Sequence, residues 1–479
     1  MKRKIIGLGI CAVLIVGAVG FSACKAEPEN SLYRIEAEYL AEDRTLSAEM
    51  TFDYYNDTEN ALGELKFELW ANAFREGAKY APVSKLYESS AYYKGKNYGG
   101  MEILSIEGAE SYAVGGEDEN ILTVTLPSKV YPNESVQIKI VYRVVLAQIN
   151  HRLGVGENTV SLSGFYPVLC KYGGNGFQEY VYSCYGDPFV NECADFDVTL
   201  TVPEEYTAVY AGIGQEVAEN GKKTYHVVTE NVRDTAFVLG KSFECVRTTA
   251  CGIDVEYYYY GDLAPELALK AAADSLTYYS KTFGSYEYPR YVVAEADFPY
   301  GGMEYSGLSL ISSSLRSSEI PVVVAHETAH QWWYAMVGSN QFESAWQDEG
   351  LAEFSVALFL DEYPAYGGSY QQMLKSCVSA YRAYYAIYSQ TEPKADTSMN
   401  RALTSYSGDY EYRNLAYDKG VVLFDSVKNA VGEKKFFSAL SRYCEEYKGK
   451  LARYEDLVAC FPPQAEGVFE SFTKGLCVI

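Results

Sequence analysis

Two of the four histidines in this 479-residue chain, His326 and His330, lie one helical turn apart in the run Val-Val-Ala-His-Glu-Thr-Ala-His-Gln-Trp-Trp. Positions i and i+4 share a helix face, so a helix here lets both imidazoles reach one metal ion while Glu327 addresses a water beside it. With so few histidines, a chance pair at this spacing arises about 0.03 times per chain, and an acid after the first makes it rarer still. The pattern is that of a zinc hydrolase, set against the plainer alternative of a buried histidine pair satisfied by its neighbours. His151 and His226 show no ligand spacing and read as structural or surface residues.

Length and composition frame that site. A chain of 479 residues exceeds one ordinary core, so two domains are expected, and 48% hydrophobic with 22% charged residues describes a globular chain. The net charge of −24 repels nucleic acid and anionic headgroups, so no nucleic-acid partner is expected; an acidic coat favouring solubility accounts for it equally.

Residues 1–23 read as an export signal: Lys2, Arg3 and Lys4, an apolar stretch from Ile5 to Val19, then Phe21-Ser22-Ala23-Cys24. The last four resemble the lipobox of a bacterial lipoprotein, with Phe21 unusual at its first position. That reading makes Cys24 the lipidated terminus, on the outer face of the cell membrane. A single uncleaved membrane anchor is the alternative, because the apolar run is nearly long enough to span a bilayer. Both place the body outside the cytoplasm. Beyond Cys11 and Cys24 nine cysteines remain; Cys184–Cys193 and Cys245–Cys251 are local disulfide candidates, although spacing cannot establish pairing.

After a polar tether at 24–30, residues 31–247 read as a strand-rich domain, a β-sandwich or extended sheet. Val136, Ile138, Ile140, Tyr142 and Val144 alternate with more polar neighbours, as do Phe196, Val198, Leu200 and Val202, with turn signals at 131–133 and 219–221. Residues 248–479 read as a mixed, mainly helical domain: a strand from Ile253 to Tyr260, a helix from Pro265 to Thr282, a strand from Tyr291 to Ala296, the histidine helix, and helices at 369–388, 416–431 and 433–448. The fold class is therefore α+β in two domains.

A catalytic zinc usually takes three protein ligands and leaves one position for water. Glu349, nineteen positions after His330 in Trp-Gln-Asp-Glu-Gly-Leu-Ala-Glu-Phe, is a candidate third ligand, and Glu353, one turn on, can orient a ligand histidine or face solvent. With this arrangement the sequence resembles the gluzincin aminopeptidases, the family of aminopeptidase N and leukotriene-A hydrolase. Tyr300-Gly301-Gly302-Met303-Glu304-Tyr305 resembles the family's Gly-Ala-Met-Glu-Asn motif, Tyr417-Asp418-Lys419-Gly420 its Tyr-Glu-Lys-Gly motif, and Tyr166-Pro167 with Gly186-Asp187-Pro188-Phe189 its N-terminal domain.

The resemblance implies a saddle-like N-terminal sheet domain, a thermolysin-like catalytic domain and one Zn2+ per chain on His326, His330 and Glu349. It implies Glu327 as general base, Tyr417 as oxyanion donor, Glu304 as partner of a peptide's free α-ammonium, and Gly301, Gly302 and Met303 along the peptide. The expected partners are peptides with a free N-terminus. Tyr305 departs from the motif's Asn, which bears on how the amine is read. Many family members continue into a helical domain over the active site, and since the sequence given ends at 479, a more open cleft is expected. An endopeptidase of the same fold and a catalytically silent surface binding protein are the competing expectations; the latter usually loses a ligand or the base, and all four residues are present here.

Overall fold

A computed structural model describes residues 30–174, 176–390 and 396–475. The expected signal segment, nearly all of the tether, Cys24 and Cys477 lie outside the described residues.

The first domain is built from alternation. In Leu32–Leu40 every second residue (Tyr33, Ile35, Ala37, Tyr39) is buried, the pattern of a strand with one face on a core. This strand pairs antiparallel with Thr45–Tyr55 and parallel with Ala194–Pro203, inside a seven-stranded sheet that includes the anticipated Ser135–Val145. Tyr33 stacks on Phe196 of the neighbouring strand at 4.7 Å, and Phe52 meets Phe67 of a four-stranded sheet edge-on at 5.5 Å, an aromatic contact that joins the two sheets. The turn signals are real turns: Asn133, Asn220 and Gly221 have left-handed backbones, φ 63°, 54° and 75°. A further four-stranded sheet contains Thr159–Ser163 and Ala236–Gly240.

The second domain opens with a five-stranded sheet: Glu244–Ala250, Ile253–Tyr259, Arg290–Ala296, Leu308–Ser312 and, at the edge, Gly302–Tyr305. Its first strand starts before residue 247, so the break between the two sheet systems falls at 241–243 rather than at the expected 247. The hairpin also separates Cys245 from Cys251: Cys245 lies opposite Tyr258 while Cys251 sits in the turn, six strand positions or about 20 Å away. All eight described cysteines are free, Cys184 and Cys193 included.

Six longer helices complete the domain: α1 (Pro265–Phe283), α2 (Ile320–Ala329), α3 (Trp346–Glu362), α4 (Tyr370–Tyr388), α5 (Lys419–Val431) and α6 (Glu433–Tyr447). Pro265 occupies the first turn of α1, and Ser369 caps α4 by accepting from the backbone of Gln372. Helix α2 carries the β-branched run Val322-Val323-Val324, poor helix formers. It is helical because it is wedged between α1, α3 and the sheet, with Tyr279 Oη donating to Ala325 O at 3.1 Å.

Buried polar groups lock the domains together. Arg233, 2% exposed, donates to four backbone carbonyls: Asn191 (3.0 Å), Tyr334 (2.6 Å), Met336 (3.3 Å) and Lys450 (2.6 Å). Its neighbour Asp234 accepts from Ser306 N at 2.9 Å and from the Tyr334 hydroxyl. From the other side Asp297 accepts from Thr159 N at 2.8 Å. Replacing Arg233 by Ala strands those carbonyls in a dry interface, and thermal or denaturant unfolding is expected to show a loss of about 3–5 kcal/mol.

Candidate metal centre and active site

Helix α2 ends where the histidines sit. His326 is on its last turn and His330 is its C-terminal residue, after which the chain widens into a π-type turn, Gln331–Met336. Within that turn Trp333 leaves helical geometry (φ −102°, ψ 45°), and its carbonyl lies 3.3 Å from His330 Nδ1. Glu353 Oε2 lies 2.9 Å from His326 Nδ1. With both Nδ1 atoms engaged, both rings turn Nε2 towards the same point.

Glu349 meets them from the first turn of α3. The three donor atoms form a near-equilateral triangle: His326 Nε2 to His330 Nε2 3.1 Å, His326 Nε2 to Glu349 Oε2 3.2 Å, His330 Nε2 to Glu349 Oε2 3.3 Å. A tetrahedral ion with bonds of about 2.0–2.1 Å has ligand–ligand edges of about 3.3–3.4 Å, so this donor set fits zinc with one position left over. Charge agrees with geometry. Burial alone would lower the pKa of His330, yet Glu304 and Glu349 outweigh it and raise it to about 10; a pocket that draws positive charge onto its imidazoles is one made for a cation. Burial pushes the Glu349 carboxyl upward, but the facing histidines hold it well below the usual carboxylate range.

Tyrosines hold Glu349 from behind. Its Oε1 accepts from Tyr417 Oη at 2.5 Å and from Tyr412 Oη at 3.3 Å, both carried by the turn that leads into α5. That turn can come so near because α3 and α5 cross at two glycines: a Cβ on Gly420 would lie 2.6 Å from the Gly350 Cα. The Gly of Tyr417-Asp418-Lys419-Gly420 is therefore a packing residue. Lys419 is structural too, its Nζ donating to Thr397 O (2.6 Å) and Phe472 O (2.9 Å).

The opposite wall is the edge strand Gly302–Tyr305. Glu327 lies against it so closely that a Cβ on Gly302 would sit 2.4 Å from Glu327 Oε1, whereas Gly301 meets nothing nearer than 3.7 Å. Close approach thus explains one glycine of the pair. Burial raises the Glu327 carboxyl to about 7, with the two imidazoles pulling it down, and its Oε2 has no partner. Met303 is buried. Glu304, 4% exposed, leaves Oε1 unpartnered, and burial pushes its carboxyl well above the normal range.

All the predicted site residues from Gly301 to Tyr417 thus converge on one cleft, Glu353 from the outer side of His326; Trp332 and Trp333 are core. His151 is buried among Phe74, Phe298 and Tyr300, and His226 pairs with Asp197 at the surface. Glu304, Glu327 and Glu349 are each 4% exposed and His330 1%, so these groups lie deep in the protein. Sequence reasoning also passed over three contributors. Gln331 accepts from Gly307 N (2.8 Å) and donates to Tyr305 O (3.0 Å), fixing the histidine turn to the strand that bears Glu304; its place directly after the second histidine was the available signal. The first domain inserts the buried Arg152–Asp187 ion pair beside Glu304 and Tyr305, and Tyr412 gave no signal among 46 tyrosines.

Residues 267–473 match the peptidase family M1 domain. Aminopeptidase M1-B of Oryza sativa subsp. japonica is 25% identical over 368 residues, 68% of this chain and 41% of that protein, and Aminopeptidase M1-C of the same plant is 28% identical over 58% and 33%. The chain thus spans well under half the length of these curated relatives. Among solved structures, the M1 zinc metallopeptidase from Deinococcus radiodurans superposes with a TM-score of 0.65 over 95% of this chain and 96% of that one, at 16% identity. A mutant of that protein has been solved with a Tyr-Ser-Ala substrate. The fold is that of a two-domain M1 metallopeptidase, and these matches support the resemblance to the gluzincin aminopeptidases.

Two substitutions test how the site is held. Glu353→Gln, which weakens the grip on His326 Nδ1, is expected to lower zinc affinity about 10–100-fold in a chelator competition. Gly420→Ala forces α3 and α5 apart and is expected to cost about 1–3 kcal/mol in unfolding experiments while lowering the zinc content of the purified protein.

Proposed function

We propose that this chain is an extracytoplasmic zinc aminopeptidase that removes N-terminal residues from short peptides. The observation that carries the reading is Glu304: a buried carboxylate with an unpartnered oxygen, on a strand edge beside a three-donor metal site. Burying an acid there is costly unless an ordered cation meets it, and a peptide's α-ammonium is such a cation. Support comes from the relatives named aminopeptidases and from the tripeptide held by the Deinococcus protein.

His326, His330 and Glu349 would hold the ion, and zinc bound there would supply Lewis acidity to the scissile carbonyl and to the attacking water. Glu327 takes a proton from the attacking water and returns it to the leaving amine, a task suited to a carboxyl raised towards neutrality by burial. Tyr417, kept protonated by burial and by Glu349, turns its hydroxyl from Glu349 to the oxyanion. Glu304 fixes the ammonium and so the register, while the backbone of Gly301 to Met303 lines the peptide. Cys24 is the proposed lipid anchor that keeps the body on the outer membrane face.

A panel of aminoacyl reporters and matched peptides, free or acetylated at the N-terminus, with and without chelator, tests the reading. Free-amine substrates should be cleaved and acetylated ones spared; equal cleavage of both would sink the aminopeptidase assignment. Glu327→Gln should abolish measurable turnover while retaining one zinc per chain, and Tyr417→Phe should lower kcat roughly 10²–10³-fold. Cys24→Ser should move the protein from the membrane fraction to the soluble one.

A further inference from the structure

The residues of the metal site are buried, and a segment of the first domain reaches both segments that flank them. Residues 80–93 form a strap anchored at both ends to their own domain. At the start, Lys79 N and Tyr80 N donate to the Asp118 carboxylate at 2.7 and 2.8 Å. At the end, Tyr93 Oη donates to Gly156 O at 2.9 Å, and Asn150 N donates to Ala91 O at 2.9 Å.

Between those anchors the strap touches both walls of the cleft. Ser84 Oγ, buried, donates to the Asp409 carboxylate at 2.9 Å, and Asp409 opens the turn that carries Tyr412 towards Tyr417. Tyr87 packs its ring against Tyr300 at 4.8 Å, and Tyr300 leads directly into the Gly301–Glu304 wall. His151 backs Tyr300 from below, at 5.9 Å.

We infer that Ser84 and Tyr87 set the length of peptide this site accepts. An extended chain advances about 3.3 Å per residue, so a peptide whose amine sits at Glu304 soon reaches the line joining Tyr300 to Asp409. A short peptide stays beneath the strap. A long one must break the Ser84–Asp409 hydrogen bond and pull Tyr87 off Tyr300 before it can pass.

This rests on the aminopeptidase reading, and the experiment separates the two. A tripeptide and a decapeptide with the same first three residues are compared in the zinc-loaded full chain. Wild type should cleave the tripeptide with the higher kcat/KM, and Ser84→Ala should raise the decapeptide-to-tripeptide ratio about tenfold, the loss of one hydrogen bond to a charged group. Tyr87→Ala should move it the same way. An unchanged ratio in both variants, or equal cleavage by wild type, overturns the inference. Failure of wild type to cleave the tripeptide overturns the aminopeptidase reading instead. A second measurement needs no turnover: a bulky chelator should strip zinc several-fold faster from both variants, and unchanged stripping rates again remove the strap from the mechanism.

Discussion

Mutual repulsion among buried carboxylates is the constraint around which this molecule is organised. Glu304, Glu327, Glu349, Asp348 and Asp187 converge from both domains on a space that water hardly reaches. Each is individually expensive to bury, and each raises the cost of its neighbours. The structure spreads that cost over different partners. Asp187 has Arg152, and Asp348 has the Gln341 amide and the Glu349 backbone; Glu349 has two imidazoles and two tyrosines. Glu304 and Glu327 alone keep free oxygens, and these are the two whose proposed partners, an ammonium and a water, arrive with the substrate.

Such an arrangement survives only if its walls cannot relax apart. Glycine contacts bring the walls together: Gly302 lets Glu327 lie on the edge strand, and Gly350 with Gly420 lets the Tyr417 turn reach α3. Gln331, Arg233 and Asp234 then pin the turn after His330 to the edge strand and to the first domain. The first domain is accordingly part of the active site, supplying its ion pair, its clamp and its strap.

Much of this was legible in the sequence where periodicity or motif order carries information. Alternation located Ser135–Val145 and Ala194–Pro203, and Pro265 marked the start of α1. His326, Glu327 and His330 were recognisable because one helix turn dictates their spacing, whereas Glu349, on the next long helix, was picked out by the motif around it. What remained hidden depends on long-range approach. Arg233 lies 101 residues from Tyr334 and 217 from Lys450, and no local pattern marks a guanidinium whose partners are backbone carbonyls. The expected boundary at 247 falls inside Glu244–Ala250, because a strand's own residues do not say which sheet it will join. Ser84 and Tyr87 are ordinary residues whose contacts with Asp409 and Tyr300 only the fold discloses.

That last point changes what specificity means for this chain. A strap tied at Asp409 and resting on Tyr300 must be displaced by anything that extends past it. The strap's two cleft contacts fall on the segments that bear Glu304 and Tyr417, the residues proposed to read the amine and meet the oxyanion. Lifting it for a long peptide therefore loosens the groups that position the scissile bond, so length is penalised in the positioning of the reaction as well as in entry to the cleft. The same acidic cluster that makes the cleft costly to assemble favours a ligand that brings a positive charge into it.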